Sequence, residues 1–153
     1  MVDHVTANDA VWKNGVEKFE GGSPNVEGAI GFAEAIKVLG VLSIGRSEEI
    51  ARLRSRLVAD LKLIPGITVF NPPNAVGIIS FVIDNMHPHD VADMLGQRGV
   101  CVRAGNHCAA PLVEMLSSNG TLRASLAVYN DEQDMAMLIE NLREIVEGVG
   151  CRV

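Results

Sequence analysis

The chain has 153 residues, 48% of them hydrophobic and only 4% aromatic, with a formal net charge of −6. That is about one domain's length with an aliphatic core, and its apolar content excludes a disordered chain. The acidic balance excludes the basic surface that nucleic acid or an anionic membrane requires. No apolar run reaches the roughly 18 to 20 residues of a membrane span. The first residues carry Asp3 and His4 rather than a basic and then apolar leader, so no signal peptide is read. Three widely spaced cysteines make neither a disulfide framework nor a zinc pattern. The expected address is the cytoplasm.

Residues 1–25 hold the single Trp and the turn-rich Glu20-Gly-Gly-Ser-Pro-Asn25, and read as a mostly irregular arm. From Val26 the pattern is helical, with Val26, Ile30, Ala33 and Leu39 on one face, until Gly40 and Gly45 interrupt it. Ser47 is the expected cap of a second helix with the stripe Ile50, Leu53, Leu57, Leu61, ended by Pro65-Gly66. A strand near Ile67 to Phe70, a turn at Asn71 to Asn74 and the strand Ile78 to Ile83 follow. Pro88 suits the first position of a helix carrying Val91, Met94 and Leu95, closed by Gly99.

A strand from Val100 to Ala104 sets Cys101 and Arg103 on one face. Cys101, between two valines, reads as a core residue and Cys151 as part of a frayed tail. In the strand-like Thr121 to Tyr129, Leu122, Ala124, Leu126 and Val128 face one way, and Arg123 and Ser125 the other. Asn130 is the expected cap of the last helix, with Gln133 at the capping-box position and Met135, Leu138, Leu142, Ile145 and Val149 as its stripe. The fold class is α+β, with helices packed on a mainly antiparallel sheet.

The chemistry concentrates in Arg103-Ala-Gly-Asn-His-Cys-Ala-Ala-Pro111, a thiol on a small-residue loop before a proline-started helix. A helix start after Pro111 points its dipole toward Cys108, and His107 is placed to relay a proton. The competing reading of Cys108 is a buried, inert cysteine. Arg103 and Arg123 are suited to bidentate capture of a carboxylate, or else form structural ion pairs. His87-Pro-His-Asp90 offers metal ligands but reads equally as a polar helix start. Gly21-Gly-Ser-Pro24 offers backbone amides and the Ser23 hydroxyl to a phosphate, or is a simple turn.

Phe19-Glu-Gly-Gly-Ser-Pro-Asn25, Arg103-Ala-Gly-Asn-His-Cys-Ala109 and Arg123-Ala-Ser-Leu-Ala-Val-Tyr-Asn130 resemble, in order and spacing, the SufS-type (group II) cysteine desulfurases. These are fold-type I pyridoxal-phosphate enzymes of the class V aminotransferase group. The resemblance implies the small C-terminal domain over residues 26–153, with residues 1–25 as an arm belonging to the large cofactor-binding domain. It implies that Cys108 is the nucleophile that becomes a persulfide, aided by His107. Arg123 would bind the carboxylate of L-cysteine, with Arg103 at the rim. Gly22 and Ser23 would reach the cofactor phosphate of the partner subunit in a homo-oligomer. His89 would engage a zinc-containing sulfur-acceptor protein, as in a subgroup.

Asn106 departs from the family's usual histidine. The family's cofactor lysine follows a histidine, in a segment well before the Gly-Gly-Ser turn. Lys13 and Lys18 lie too close to that turn, and Lys37 and Lys62 fall on predicted helices. The expectation is therefore a C-terminal portion of a cysteine desulfurase, inactive and without bound pyridoxal phosphate by itself, the cofactor being held by a missing N-terminal region or by another polypeptide that supplies the N-terminal half. The alternative is a non-enzymatic sulfur carrier or partner-binding module.

Overall fold

The computed structural model describes residues 1–72, 75–117 and 119–150. The chain divides into two compact units, Met1–Leu42 and Ser43–Val153. Among the described residues no single helix is long and apolar enough to cross a membrane.

In the first unit, β1 (Val2–Val5) pairs antiparallel with β2 (Ala10–Trp12). The rest of residues 1–25 is mostly irregular, as expected, but this hairpin is a departure from that expectation. Its turn is fixed by short polar side chains: the Asp9 amide donates to Thr6 Oγ1 at 3.1 Å and the Ala10 amide to Asp9 Oδ1 at 2.8 Å. After a 3-10 turn at Val16–Lys18 comes α1 (Val26–Leu42). Asn25 caps it, its Oδ1 accepting from the Gly28 amide at 2.9 Å. The helix buries no residue, and eight large apolar side chains from Val26 to Leu42 are exposed.

The second unit runs α2 (Arg46–Lys62), β3 (Ile67–Val69), β4 (Ile78–Ile83), α3 (Pro88–Gly96), β5 (Arg103–Gly105), α4 (Ala110–Leu116), β6 (Thr121–Ser125) and α5 (Glu132–Gly150). The strands form one sheet in the order β3-β4-β6-β5, with every neighbouring pair antiparallel. The α+β expectation holds. Helices α2, α3 and α5 cover one sheet face. There Leu57, Leu61, Ile79, Phe81, Leu122 and Leu142 are fully buried. The stripes read for α2 and α5 supply most of that core.

Element ends differ from expectation where a local hydrogen bond or backbone twist intervenes. Gly45, left-handed at φ 73, starts α2 at Arg46, so Ser47 lies inside the helix and does not cap it. Gly99 (φ 81) and the Val100 amide, bonded back to the Leu95 carbonyl at 3.0 Å, close the end of α3. Strand pairing therefore begins only at Arg103 rather than Val100. The last helix is capped one residue later than read: Asp131 Oδ1 accepts from the amides of Gln133 (2.8 Å) and Asp134 (3.1 Å). Asp134, not Gln133, reaches back to the Asp131 amide, at 3.2 Å. Cys151, the Val149 side chain and half of the expected turn at Asn71 to Asn74 lie outside the described residues.

Phe81→Ala is expected to lower the unfolding free energy by about 3–5 kcal/mol, and Asp131→Ala by about 1 kcal/mol. Urea unfolding followed by far-ultraviolet circular dichroism measures both.

Candidate active site

The β5–β6 ladder sets Arg103 opposite Arg123, Ala104 opposite Leu122 and Gly105 opposite Thr121. Alternation turns Leu122 into the core, so the two arginines share the opposite face. On the other side of β6, Ser80 of β4 pairs with Arg123. The row Ser80, Arg123, Arg103 thus crosses the sheet away from the helices. Like charges directly opposed across strands are destabilising, by about 0.2–1 kcal/mol. Arg123 is half-buried, and its Nε is buried without a partner among the described residues. Two guanidiniums so arranged are complementary to one carboxylate.

Beyond β5 the chain leaves the sheet through Gly105 (φ 105) into Asn106, His107 and Cys108. The Ala109 amide closes this turn on the Asn106 carbonyl at 2.8 Å. His107 (φ 53) and Cys108 (φ 60) are both left-handed, and a non-glycine residue there costs about 1–3 kcal/mol. Each side chain has an anchor. Arg103 donates an N–H to Cys108 Sγ at 3.5 Å, and the thiol is exposed. His107 Nε2 lies 2.9 Å from Thr121 Oγ1 and 3.0 Å from the Thr121 carbonyl oxygen.

A carbonyl only accepts, so Nε2 carries the proton and Nδ1 the lone pair. Nδ1 is buried and unpartnered among the described residues. Burial, joined by the charges of Arg123 and Arg103 and opposed by the Thr121 hydrogen bond, pushes His107 below its ordinary value of 6.5. The ring is neutral at pH 7.

Glycines permit this crowding. A Cβ at Gly120 would stand 2.9 Å from Gly105 Cα, and one at Gly105 would stand 3.3 Å from His89 Nε2. His89 is thereby brought alongside the start of the cysteine loop. His87 caps α3, its Nδ1 accepting from the His89 amide at 3.3 Å, as a polar helix start does. Arg103 places a positive charge at the sulfur, ahead of the proline-started helix α4 of seven residues. Cys101 is exposed, against its reading as a core residue: the alternation runs through residues 100–104, packing Val100, Val102 and Ala104 on the core and turning Cys101 outward with Arg103.

Gly22 and Ser23 lie in the first unit, on an open cavity of about 550 Å³ shared with Lys13, Glu17 and Glu20. Gly22 is left-handed at φ 84, with nothing within 4 Å of a Cβ built there. No hydrogen bond within the described residues engages the Gly22 and Ser23 amides or the Ser23 hydroxyl. These donors fit a phosphate group. In the second unit the single lysine, Lys62, is exposed in the last turn of α2.

Residues 1–138 match the aminotransferase class-V family. The chain belongs to that family. Among class-V relatives it is 38% identical to a probable cysteine desulfurase of Halalkalibacterium halodurans, over 98% of this chain and 37% of the relative. A probable cysteine desulfurase of Staphylococcus aureus is 40% identical over 96% of this chain and 36% of its own length. Two solved structures agree in fold. The apo cysteine desulfurase of Thermococcus onnurineus superposes with a TM-score of 0.81 at 34% identity, covering 96% of this chain and 38% of that one. The Escherichia coli cysteine desulfurase CsdA, in an S-sulfonic acid form, gives 0.82 at 31%, covering 96% and 37%. The chain thus spans just over a third of the length of these class-V relatives.

Of the residues singled out in the sequence, Cys108, His107, Arg103, Arg123 and His89 converge in the second unit, and Gly22 and Ser23 sit together in the first. Thr121, Ser80 and Gly120 were missed. Thr121 and Ser80 read as ordinary strand residues, and Gly120 as a turn; only the register reveals their place.

The depressed titration of His107 has a consequence for stability. The unfolded chain takes up this proton at higher pH than the native chain, so stability is full above 6.5 and falls as pH drops toward the native value. His107→Gln is expected to flatten that segment of a urea-midpoint curve recorded from about pH 7 to about pH 5.

Proposed function

We propose that this chain is the C-terminal, sulfur-accepting portion of a cysteine desulfurase, carrying the small domain and an arm of the large one. The observation that carries the reading is the opposed pair Arg103 and Arg123 with Cys108 Sγ 3.5 Å from Arg103. Carboxylate capture and a nucleophilic thiol are the two functions that sulfur removal from an amino acid demands of this side of a site.

In this reading Arg123 binds the carboxylate of L-cysteine and Arg103 steadies both that anion and the Cys108 sulfur. The Cys108 thiolate attacks the substrate sulfur. A bond forms between the two sulfurs as the substrate's carbon–sulfur bond breaks, its electron pair staying on carbon. Protonation of that carbon gives alanine, and Cys108 is left as a persulfide. Neutral His107, with its free Nδ1, accepts a proton on the loop. Pyridoxal phosphate, when bound, supplies the electron sink for the substrate. Gly22 and Ser23 would reach the cofactor phosphate held by the partner subunit of a homo-oligomer, and the cofactor lysine comes from polypeptide outside these residues. His89, beside the loop, faces the protein that takes the sulfur onward.

Sulfide release from L-cysteine under reductant, with pyridoxal phosphate added, tests this. The chain alone is expected to release none, and borohydride to leave no pyridoxyl group on its lysines. Supplemented with the N-terminal portion of a relative, it is expected to gain activity. In that assembly Cys108→Ser should fall to background. Arg123→Lys should raise KM about 10- to 100-fold, the loss of a charge-assisted pair, with a smaller change in kcat. Full activity of Cys108→Ser would refute the assignment.

The exposure of Cys108 favours one further reading, a carrier that receives sulfur ready-made. Loading of Cys108 by glutathione persulfide without cofactor, together with no sulfide release from any supplemented assembly, is its signature.

A further inference from the structure

We infer that Thr121 is a positioning residue that fixes both the ring orientation and the tautomer of His107. This rests on the reading of Cys108 and His107 given above, and adds a residue that neither the sequence motif nor that reading contains.

Three observations support it. Thr121 is 1% exposed, so its hydroxyl has no bulk water to bond. Its two oxygens both meet one nitrogen, His107 Nε2, at 2.9 and 3.0 Å. The other nitrogen, Nδ1, is buried with no partner among the described residues. The backbone oxygen demands a proton on Nε2, and the hydroxyl holds the ring in the plane where that demand is met. A neutral imidazole with its lone pair committed to Nδ1 is a base of defined direction. Register makes the arrangement possible: Thr121 stands opposite Gly105, whose positive φ of 105 turns the chain out of the strand and into the loop that carries His107.

The experiment is nitrogen-15 NMR of the histidine rings in the whole chain, with Cys108 alkylation by iodoacetamide followed against pH. The charged groups that act on His107 are Arg123 on β6 and Arg103 on β5; His89 on α3 lies against Gly105, and Cys108 follows His107 along the loop. All are retained in the variants. The wild-type ring is expected as the Nε2–H form. Thr121→Val, which keeps the shape and loses the hydroxyl, should shift the tautomer ratio by about two- to tenfold, the worth of one hydrogen bond, and move the alkylation profile. Thr121→Ser should restore both.

A wild-type ring in the Nδ1–H form overturns the inference with no variant needed. So does a folded Thr121→Val chain with unchanged spectrum and profile, or a Ser variant that behaves like Val. The ring spectrum needs neither substrate nor cofactor. Sulfide release without a Thr121 effect therefore removes only the positioning role. A Thr121 effect without sulfide release from a supplemented assembly removes only the desulfurase.

Discussion

The pairing of β5 with β6 is the constraint on which the rest of the site depends. A slip of one residue would send Arg103 to the helix-covered face and Ala104 outward, since side chains alternate with period two. The observed register instead opposes Arg103 to Arg123 and Gly105 to Thr121. The first pairing concentrates positive charge on one face. The second sets Thr121 across from the glycine whose positive φ turns the chain into the cysteine loop. Both follow from one set of backbone hydrogen bonds, held in place because Leu122 must remain buried.

The two faces of this sheet divide the physical labour. One carries the aliphatic core with α2, α3 and α5. The other accepts repulsion between guanidiniums, left-handed backbone at His107 and Cys108, and unpartnered nitrogens on His107 and Arg123. Unfavourable features of this kind persist only where surrounding packing over-determines them. Here they gather around one thiol. A class-V family member that spans just over a third of its relatives has kept this whole costly cluster within one compact unit.

Much of this was legible in the residues. The 3-4 spacing of Leu53, Leu57 and Leu61, and of Met135, Leu138 and Leu142, announced two core helices, and Ile78 to Ile83 a central strand. Pro88 announced the start of α3. What was not legible depended on pairings between distant segments or on single backbone angles. Nothing local tells Ser47 that Gly45 has already begun the helix. Cys108 and the arginines could be found as a motif. Thr121 could not, because its importance lies in which glycine stands across from it.

The unburied helix α1 carries a different consequence. An isolated helix of its length is marginal in water, and its eight exposed apolar side chains would each gain roughly 1.5–3 kcal/mol from full burial. Such a segment draws its order from whatever surface it covers. Its melting therefore answers to mass action, with a midpoint that climbs as protein is concentrated or a covering surface is added.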